Sequence, residues 1–392
     1  MLKLSIITKT FRLHDNPFLD SDIYIILIEK KKYGKHQLNF LNNILDLHLK
    51  DLENINIKPI LLTSFNSIKN LMKELNEDFE VYLDEVNPSM KIPFKYNYIP
   101  TWCLLDWSDK VDMLRMWFLP EALGNHKVFK KYAIENLRNI YESEPNNENK
   151  YNIKSKYSYK INKTCVPLPD NNLDSWIIER LNETNYMNDK KWYKPDTCPS
   201  TSIKDYSINL SGIHNTSKLS PFIALGVLSP LTAYNFYSDE NRTGSSRDQL
   251  LFREMFHACA QMPEYWSVDF GKEYDWKTNE VEWNKYINGE TGHEDLDWAM
   301  KQLKNEGWLH HLARHLVADY LTRGKLEIHW IHGANWFKEN LVDHDDCVNR
   351  GNWMWLSGTA FSTKQRSFYH YNYDNYIKNR NKKLKIKDNF LE

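Results

Sequence analysis

Short apolar runs alternate with amphipathic ones over the first third of the chain. Leu4 to Thr8, Ile23 to Ile28, Ile57 to Thr63 and Phe79 to Leu83 are near-continuous apolar segments of strand length. That is the pattern of strands buried on both faces. Between them, Gln37 to Leu52 and Ser67 to Leu75 repeat apolar residues at helical spacing. Strand and helix in alternation predict an α/β domain over 1–140, with a short, Rossmann-like parallel sheet. No Gly-rich phosphate loop follows any of these strands, so the pattern signals no nucleotide site there.

From Tyr141 to Thr201 the chain turns polar, rich in Asn, Lys, Ser and Pro. This composition predicts an interdomain linker over 141–201, which Trp176, Trp192 and Tyr193 could dock. Beyond it the pattern is helical. Ser220-Pro221 opens an apolar run, and Asp248 to Met262, Leu296 to Lys304 and Gly307 to Thr322 carry apolar residues at helical spacing. The expectation for 202–392 is an all-α domain. No internal repeat is visible.

Composition changes this picture little. At 392 residues, two domains are the default. Lys and Arg number 51 against 52 Asp and Glu, so bulk charge gives no argument for nucleic acid. Charge is segregated at one place: Lys378, Arg380, Lys382, Lys383, Lys385 and Lys387 follow one another closely. Such a block either keeps a chain end solvated or meets phosphate. The cysteines, Cys103, Cys165, Cys198, Cys259 and Cys347, show no CxxC spacing, which argues against a zinc ribbon or a disulfide framework and for a reducing compartment. No apolar run with a cleavage site opens the chain, and none is long enough to cross a bilayer. The expectation is a soluble intracellular protein, cytoplasmic or nuclear, and a monomer.

Candidate chemistry concentrates in two segments. In Gly307-Trp308-Leu309-His310-His311-Leu312-Ala313-Arg314-His315, a helix would put His311 and His315 on one face, a turn apart. Polar core residues, a metal pair and acid/base groups are the three readings. A metal pair wants more ligands; HExxH is absent, and Arg314 would repel a cation. Histidine is well suited to proton transfer near neutral pH. The second segment places Asp343, Asp345 and Asp346 just before Trp353 and Trp355. Its aromatic content argues for a packed helix over a solvated acidic turn.

These two segments, Gly307 to Gly324 and Leu341 to Ser357, resemble the flavin-binding core of the DNA photolyase and cryptochrome family. Within it they are most like the branch of 6-4 photolyases and animal-type cryptochromes. Thr216-Ser217-Lys218-Leu219-Ser220-Pro221 resembles the family's phosphate-contacting loop, and Gln249 to Glu254 its next flavin-contacting helix. Phe11-Arg12-Leu13-His14-Asp15-Asn16-Pro17 resembles its first strand-to-helix loop. The resemblance implies FAD bound in the helical domain. Thr216, Ser217, Lys218, Leu219 and Ser220 would meet the diphosphate, a role suited to groups at a helix start. Gln249, Arg253 and His311 would make further flavin contacts. Arg314 and Asp343 would form a buried ion pair along the ring, with Asp345 near ring and ribityl chain and Asn349 facing flavin N5. Trp353, Trp330 and Trp276 match an electron relay running from flavin to surface.

His311 and His315 match the pair that marks 6-4 photoproduct repair, so the resemblance implies a DNA photolyase. In it an electron comes from reduced FAD, and His311 or His315 delivers a proton to the lesion. UV-damaged DNA is the expected partner, with Arg253, Lys364, Arg366 and the C-terminal basic stretch as candidate phosphate contacts. No metal is expected, and a light-harvesting antenna chromophore is left unassigned. Phe252 stands where the family usually carries Trp, Lys218 where it carries Arg, and the closing segment after Ser357 is shortened. No long signalling tail follows, which favours repair. The competing readings are a cryptochrome-type blue-light photoreceptor without repair, a cyclobutane pyrimidine dimer photolyase, and a metal hydrolase using His310, His311 and His315.

Overall fold

In a computed structural model of the chain, the residues described are 1–85, 90–119, 126–145, 219–236, 246–268, 270–309 and 311–361. Five strands form one parallel sheet: β1 (Leu2–Ile7), β2 (Ile23–Leu27), β3 (Ile60–Leu62), β4 (Phe79–Leu83) and β5 (Asn97–Tyr98), in the order β3-β2-β1-β4-β5. Strands β1 and β2 lie inside the sheet and are largely buried, because both their faces are covered. Strand β3 begins later than the hydrophobic pattern predicts: Pro59 has no N–H to give the ladder, so pairing starts at Ile60. Strand β5 is two residues long and leaves no period for a sequence to display.

Helices α1 (Lys35–Asn54) and α2 (Phe65–Leu75) complete the expected alternation. Ser64 caps α2 by accepting from the Ser67 amide, and Asn76 ends it in the left-handed region. One sheet face buries Leu4, Ile6, Ile25 and Val81 under Ile68 and Leu71 of α2. On the other, Ile7, Tyr24 and Ile26 belong to a core that takes in α1 and runs on without a break into the helical part. Phe40 of α1 packs edge-on to Phe222 at 5.2 Å. The two parts of the chain therefore share one hydrophobic core.

Helices α3 (Val111–Phe118) and α4 (His126–Glu135) follow the sheet. The helical part comprises α5 (Ser220–Ala224), α6 (Pro230–Phe236), α7 (Ser246–Cys259), α8 (Glu280–Asn288), α9 (Glu294–Glu306), α10 (His311–Asp319), α11 (Trp330–Asn340) and α12 (Asp346–Leu356). Two expectations need correction. The stretch Gly307 to Thr322 is not one helix. Gly307, at φ +73°, closes α9, and a Cβ there would overlap the His36 side chain of α1. Helix α10 starts at His311 and widens into a π turn over Tyr320–Gly324. Also, the Phe11 to Pro17 loop leads into turns, and 8–22 contain no helix. Most of the expected linker, 146–201, lies outside the described residues, and no described helix is long and apolar enough to cross a membrane.

Candidate cofactor site

Helices α7, α10, α11 and α12 surround a cavity of about 390 Å³, within the usual size of a small-molecule site. Its walls carry Gln249 and Arg253 from α7, Arg314 and His315 from α10, and Asp343, Asp345, Asn349 and Trp353 from the loop before α12 and from α12 itself. Residues singled out from three separate stretches of sequence thus meet on one surface. Arg314 Nη2 donates to both carboxylate oxygens of Asp343, at 3.0 and 2.8 Å, and its Nε donates to the Leu309 carbonyl. Ser220 Oγ donates to the same carboxylate at 2.7 Å. The Asp343 side chain is 3% exposed against 25% for Arg314, so the carboxylate is the partner that depends on the pair. Asn349 Nδ2 donates to the Ala334 carbonyl, which fixes the amide against α11.

Asp345 sits at the start of α12. Its Oδ1 accepts from the Val348 amide, capping the helix. Its Oδ2 faces His257 Nε2 at 3.2 Å, Lys9 Nζ at 3.6 Å and Arg253 Nη2 at 3.8 Å. None of the three lies where it can donate a proper hydrogen bond, so Asp345 Oδ2, Arg253 Nη2 and both His257 nitrogens are buried without hydrogen-bond partners. Burial opposes ionisation of Asp345, but the polar His257 ring beside it and the charges of Lys9 and Arg253 outweigh it and hold the carboxyl well below its ordinary value. Burial and then Arg253 push His257 down to about 4, so it is neutral near pH 7. Cys347 Sγ also lies within 4.8 Å of the His257 and Asp345 ligand atoms. A cation there would meet Lys9 and Arg253, and burial raises the Cys347 thiol well above its usual value, keeping it protonated.

A buried carboxylate oxygen and guanidinium nitrogen without partners, on the wall of an apolar-lined cavity, are the mark of a site built for a polar ligand. The residues fit FAD: Arg253 and Arg314 would offer positive charge to an anionic cofactor, and Asp345 and Asn349 would offer it hydrogen-bonding groups. Of the phosphate loop, Leu219 is buried and Ser220 exposed at the start of α5, while Thr216, Ser217 and Lys218 lie outside the described residues. His315 lines the cavity; His311 opens the same helix one turn earlier. His310, Lys364, Arg366 and the basic stretch from Lys378 to Lys387 also lie outside the described residues.

Trp353 and Trp330 are fully buried and Trp276 half-buried. A Cβ on Gly333 would overlap the Trp353 indole, so glycine on α11 is what admits that ring. Trp276 lies 5.1 Å from His329, which lies 5.4 Å from Trp330. Elsewhere on the cavity wall, Phe252 stacks on Trp355 at 5.6 Å and on His126 at 4.0 Å.

Lys9, Trp102 and His257 carry no motif, and sequence reasoning missed them. Lys9 and Trp102 reach the site because the α/β part docks on it, whereas His257 follows Arg253 by one turn on α7. Arg12 donates to the carbonyls of His14, Asp15, Thr101 and Gly226, and burial lowers it to about 10. Asp15, at φ +49°, takes both Nη groups of Arg138 and the Ser229 hydroxyl. Gly226, at φ +70°, lies so close to Lys9 that a Cβ would overlap the Lys9 carbonyl. The sequence-visible Phe11 to Pro17 loop is thus the clamp between the two parts.

The comparisons agree with this geometry. Residues 246–385 match the family model described as the FAD binding domain of DNA photolyase. A (6-4)DNA photolyase of Oryza sativa subsp. japonica is 35% identical over 208 residues, covering 49% of this chain and 36% of the relative. Cryptochrome-2 of Gallus gallus is 39% identical over 164 residues, covering 39% and 28%. The chain thus spans little more than a third of the length of such relatives. In fold, the Synechocystis sp. PCC6803 cryptochrome superposes with a TM-score of 0.68 at 19% identity, covering 93% of this chain and 84% of the other. A class III photolyase from Agrobacterium tumefaciens gives 0.63 at 19% identity, covering 93% and 81%. The cavity and the Arg314–Asp343 pair thus lie in a chain whose residues 246–385 match the FAD binding domain of DNA photolyase, and whose relatives by sequence include 6-4 photolyases and cryptochromes.

Proposed function

We propose that this chain is a light-driven flavoprotein that repairs UV-damaged DNA, with 6-4 pyrimidine-pyrimidone photoproducts as its lesion. The observation that carries this reading is the meeting of His315 with Arg314, Asp343, Asp345 and Asn349 on the walls of one cavity. FAD bound there, reduced and excited by light, would supply the electron and take it back once the lesion is reversed. Arg314, locked to Asp343, orients the ring. The Asn349 amide offers no acidic proton, which suits a cofactor kept reduced and anionic. A ring nitrogen of His315 holds the proton that the lesion needs, with His311 one turn away as its alternate. Trp353, Trp330 and Trp276 carry electrons between the site and the surface. The lesion enters as a flipped nucleotide; photolyases are a known case of that strategy. The rice and Arabidopsis thaliana relatives named (6-4)DNA photolyase support this lesion. The division into 1–140, 141–201 and 202–392 belongs to the same proposal.

The test is blue light on the purified, reduced protein with oligonucleotides that carry a 6-4 photoproduct or a cyclobutane dimer. The expected result is loss of the 6-4 lesion. His315→Ala is expected to cut the rate by about 10²–10⁴ while the flavin stays bound. No loss of either lesion with confirmed reduced flavin overturns the proposal; loss of the dimer alone moves it to the sister activity.

One observation favours a second reading, a blue-light photoreceptor. Phe252 is already stacked against His126 and Trp355, so this part of the wall offers a guest base less open ring surface. That reading expects flavin photoreduction that depends on the three tryptophans, with no lesion lost.

A further inference from the structure

We propose that Lys9, carried on the end of β1, is a positioning residue for the cofactor site: it grips the Asp345 carboxylate from behind the cavity wall and sets how much negative charge that carboxylate presents to the flavin. The inference rests on the FAD reading of the cavity.

The Lys9 backbone is fixed from two sides. Asp84, at the end of β4, accepts from the amides of Thr8 and Lys9 and from the hydroxyls of Thr8 and Thr10, all within 2.8–3.0 Å. Gly226 presses on the Lys9 carbonyl from the helical part. The side chain therefore projects from a rigid base. Its Nζ lies 3.2 Å from Glu85, 3.6 Å from Asp345 and 4.6 Å over the Trp102 ring. It is 16% exposed, so water screens these charges little.

Asp345 Oδ2 has no hydrogen-bond partner, so beyond the Val348 amide on Oδ1 it is the surrounding cations that hold the carboxylate charge. His257 is neutral near pH 7, which leaves Arg253 and Lys9. Arg253 lines the cavity and is itself tied to the Trp102 carbonyl at 2.8 Å. Lys9 does not line the cavity; it acts on the cofactor only through Asp345. Glu85 competes with Asp345 for the same ammonium. The α/β part thereby holds a charge balance, Glu85 against Asp345 across Lys9, that reaches into the helical site.

Replacing Lys9 by Met leaves the carboxylate less compensated. Adding an electron to a flavin beside it becomes harder, and an anionic cofactor is held less tightly. Replacing Glu85 by Gln frees Lys9 for Asp345 and has the opposite sign.

The experiment reconstitutes the full chain and its variants with FAD and reads two quantities: the flavin midpoint potential and the FAD dissociation constant. The expected results are a negative potential shift and roughly tenfold or greater weakening of FAD binding for Lys9→Met, a positive potential shift for Glu85→Gln, and a return toward the parent values for Lys9→Arg. A purely structural Lys9 would lower the melting temperature of both neutral variants without splitting their potentials in sign. Bound flavin with potentials unmoved, or moved the same way in both, overturns the inference. If Lys9→Met does not fold, the sign of the Glu85→Gln shift decides alone. Failure of the parent chain to take up FAD is a different outcome, and it overturns the cofactor reading.

Discussion

Asp319 closes α10 one turn after His315, where the helix widens to a π turn. It is 1% exposed, and neither carboxylate oxygen has a hydrogen-bond partner. Burial raises its carboxyl from 3.8 to about 7. At ~1.4 kcal/mol per tenfold change in proton affinity, holding this group ionised in the folded state costs about 4 kcal/mol. The sign follows from linkage. Between 3.8 and about 7 the folded chain keeps a proton that the unfolded chain has released. Stability from this group is therefore complete below pH 4, falls as pH rises, and is gone above pH 7. Asp319→Asn removes the titration while keeping the shape that packs against Gly324. Urea unfolding should show the variant more stable than the parent at pH 8, and by about 2 kcal/mol more at pH 8 than at pH 5.5. A gain equal at both pH values, or a loss at pH 8, would refute the reasoning, because it would mean that the carboxyl finds solvent or a cation when ionised.

Two further predictions bear on the site and on the clamp beneath it. Asp343→Asn leaves Arg314 facing a neutral amide; because that guanidinium is a quarter exposed, the stability cost is discounted to about 1–2 kcal/mol. The larger effect falls on the cofactor, read as a drop in the flavin-to-protein absorbance ratio after gel filtration. Gly226→Ala forces a side chain into left-handed backbone at φ +70° and onto the Lys9 carbonyl. Its expected cost is about 3 kcal/mol or more, seen as a lower urea midpoint at unchanged slope; a cost below about 1 kcal/mol would mean that the two parts separate easily there.

Much of this molecule is written locally. The apolar runs at Leu4 and Ile23 specify buried parallel strands, since a strand covered on both faces has no polar side to display. The helices of the second part follow from their spacing, and Arg314, Asp343, Asp345 and Asn349 stand out by motif. Other elements are silent for equally physical reasons. Strand β5 is too short to show a period, and the close approach of His36 to Gly307 joins residues far apart in the chain. The π turn at Tyr320–Gly324 shifts the helix register in a way no 3.6-residue pattern announces.

The sequence by itself determined the architecture, the likeness of 246–385 to the FAD binding domain of DNA photolyase, and several residues that line the cavity. Those properties lie in residue type and spacing. The tertiary structure alone decided what surrounds Asp345. Lys9, Arg253 and His257 converge on one oxygen from positions 9, 253 and 257, and the loop at Phe11 to Pro17, legible as a motif, proved to be the clamp that brings Lys9 there. Charge acts through distance in space, and distance in space is what a linear pattern does not carry.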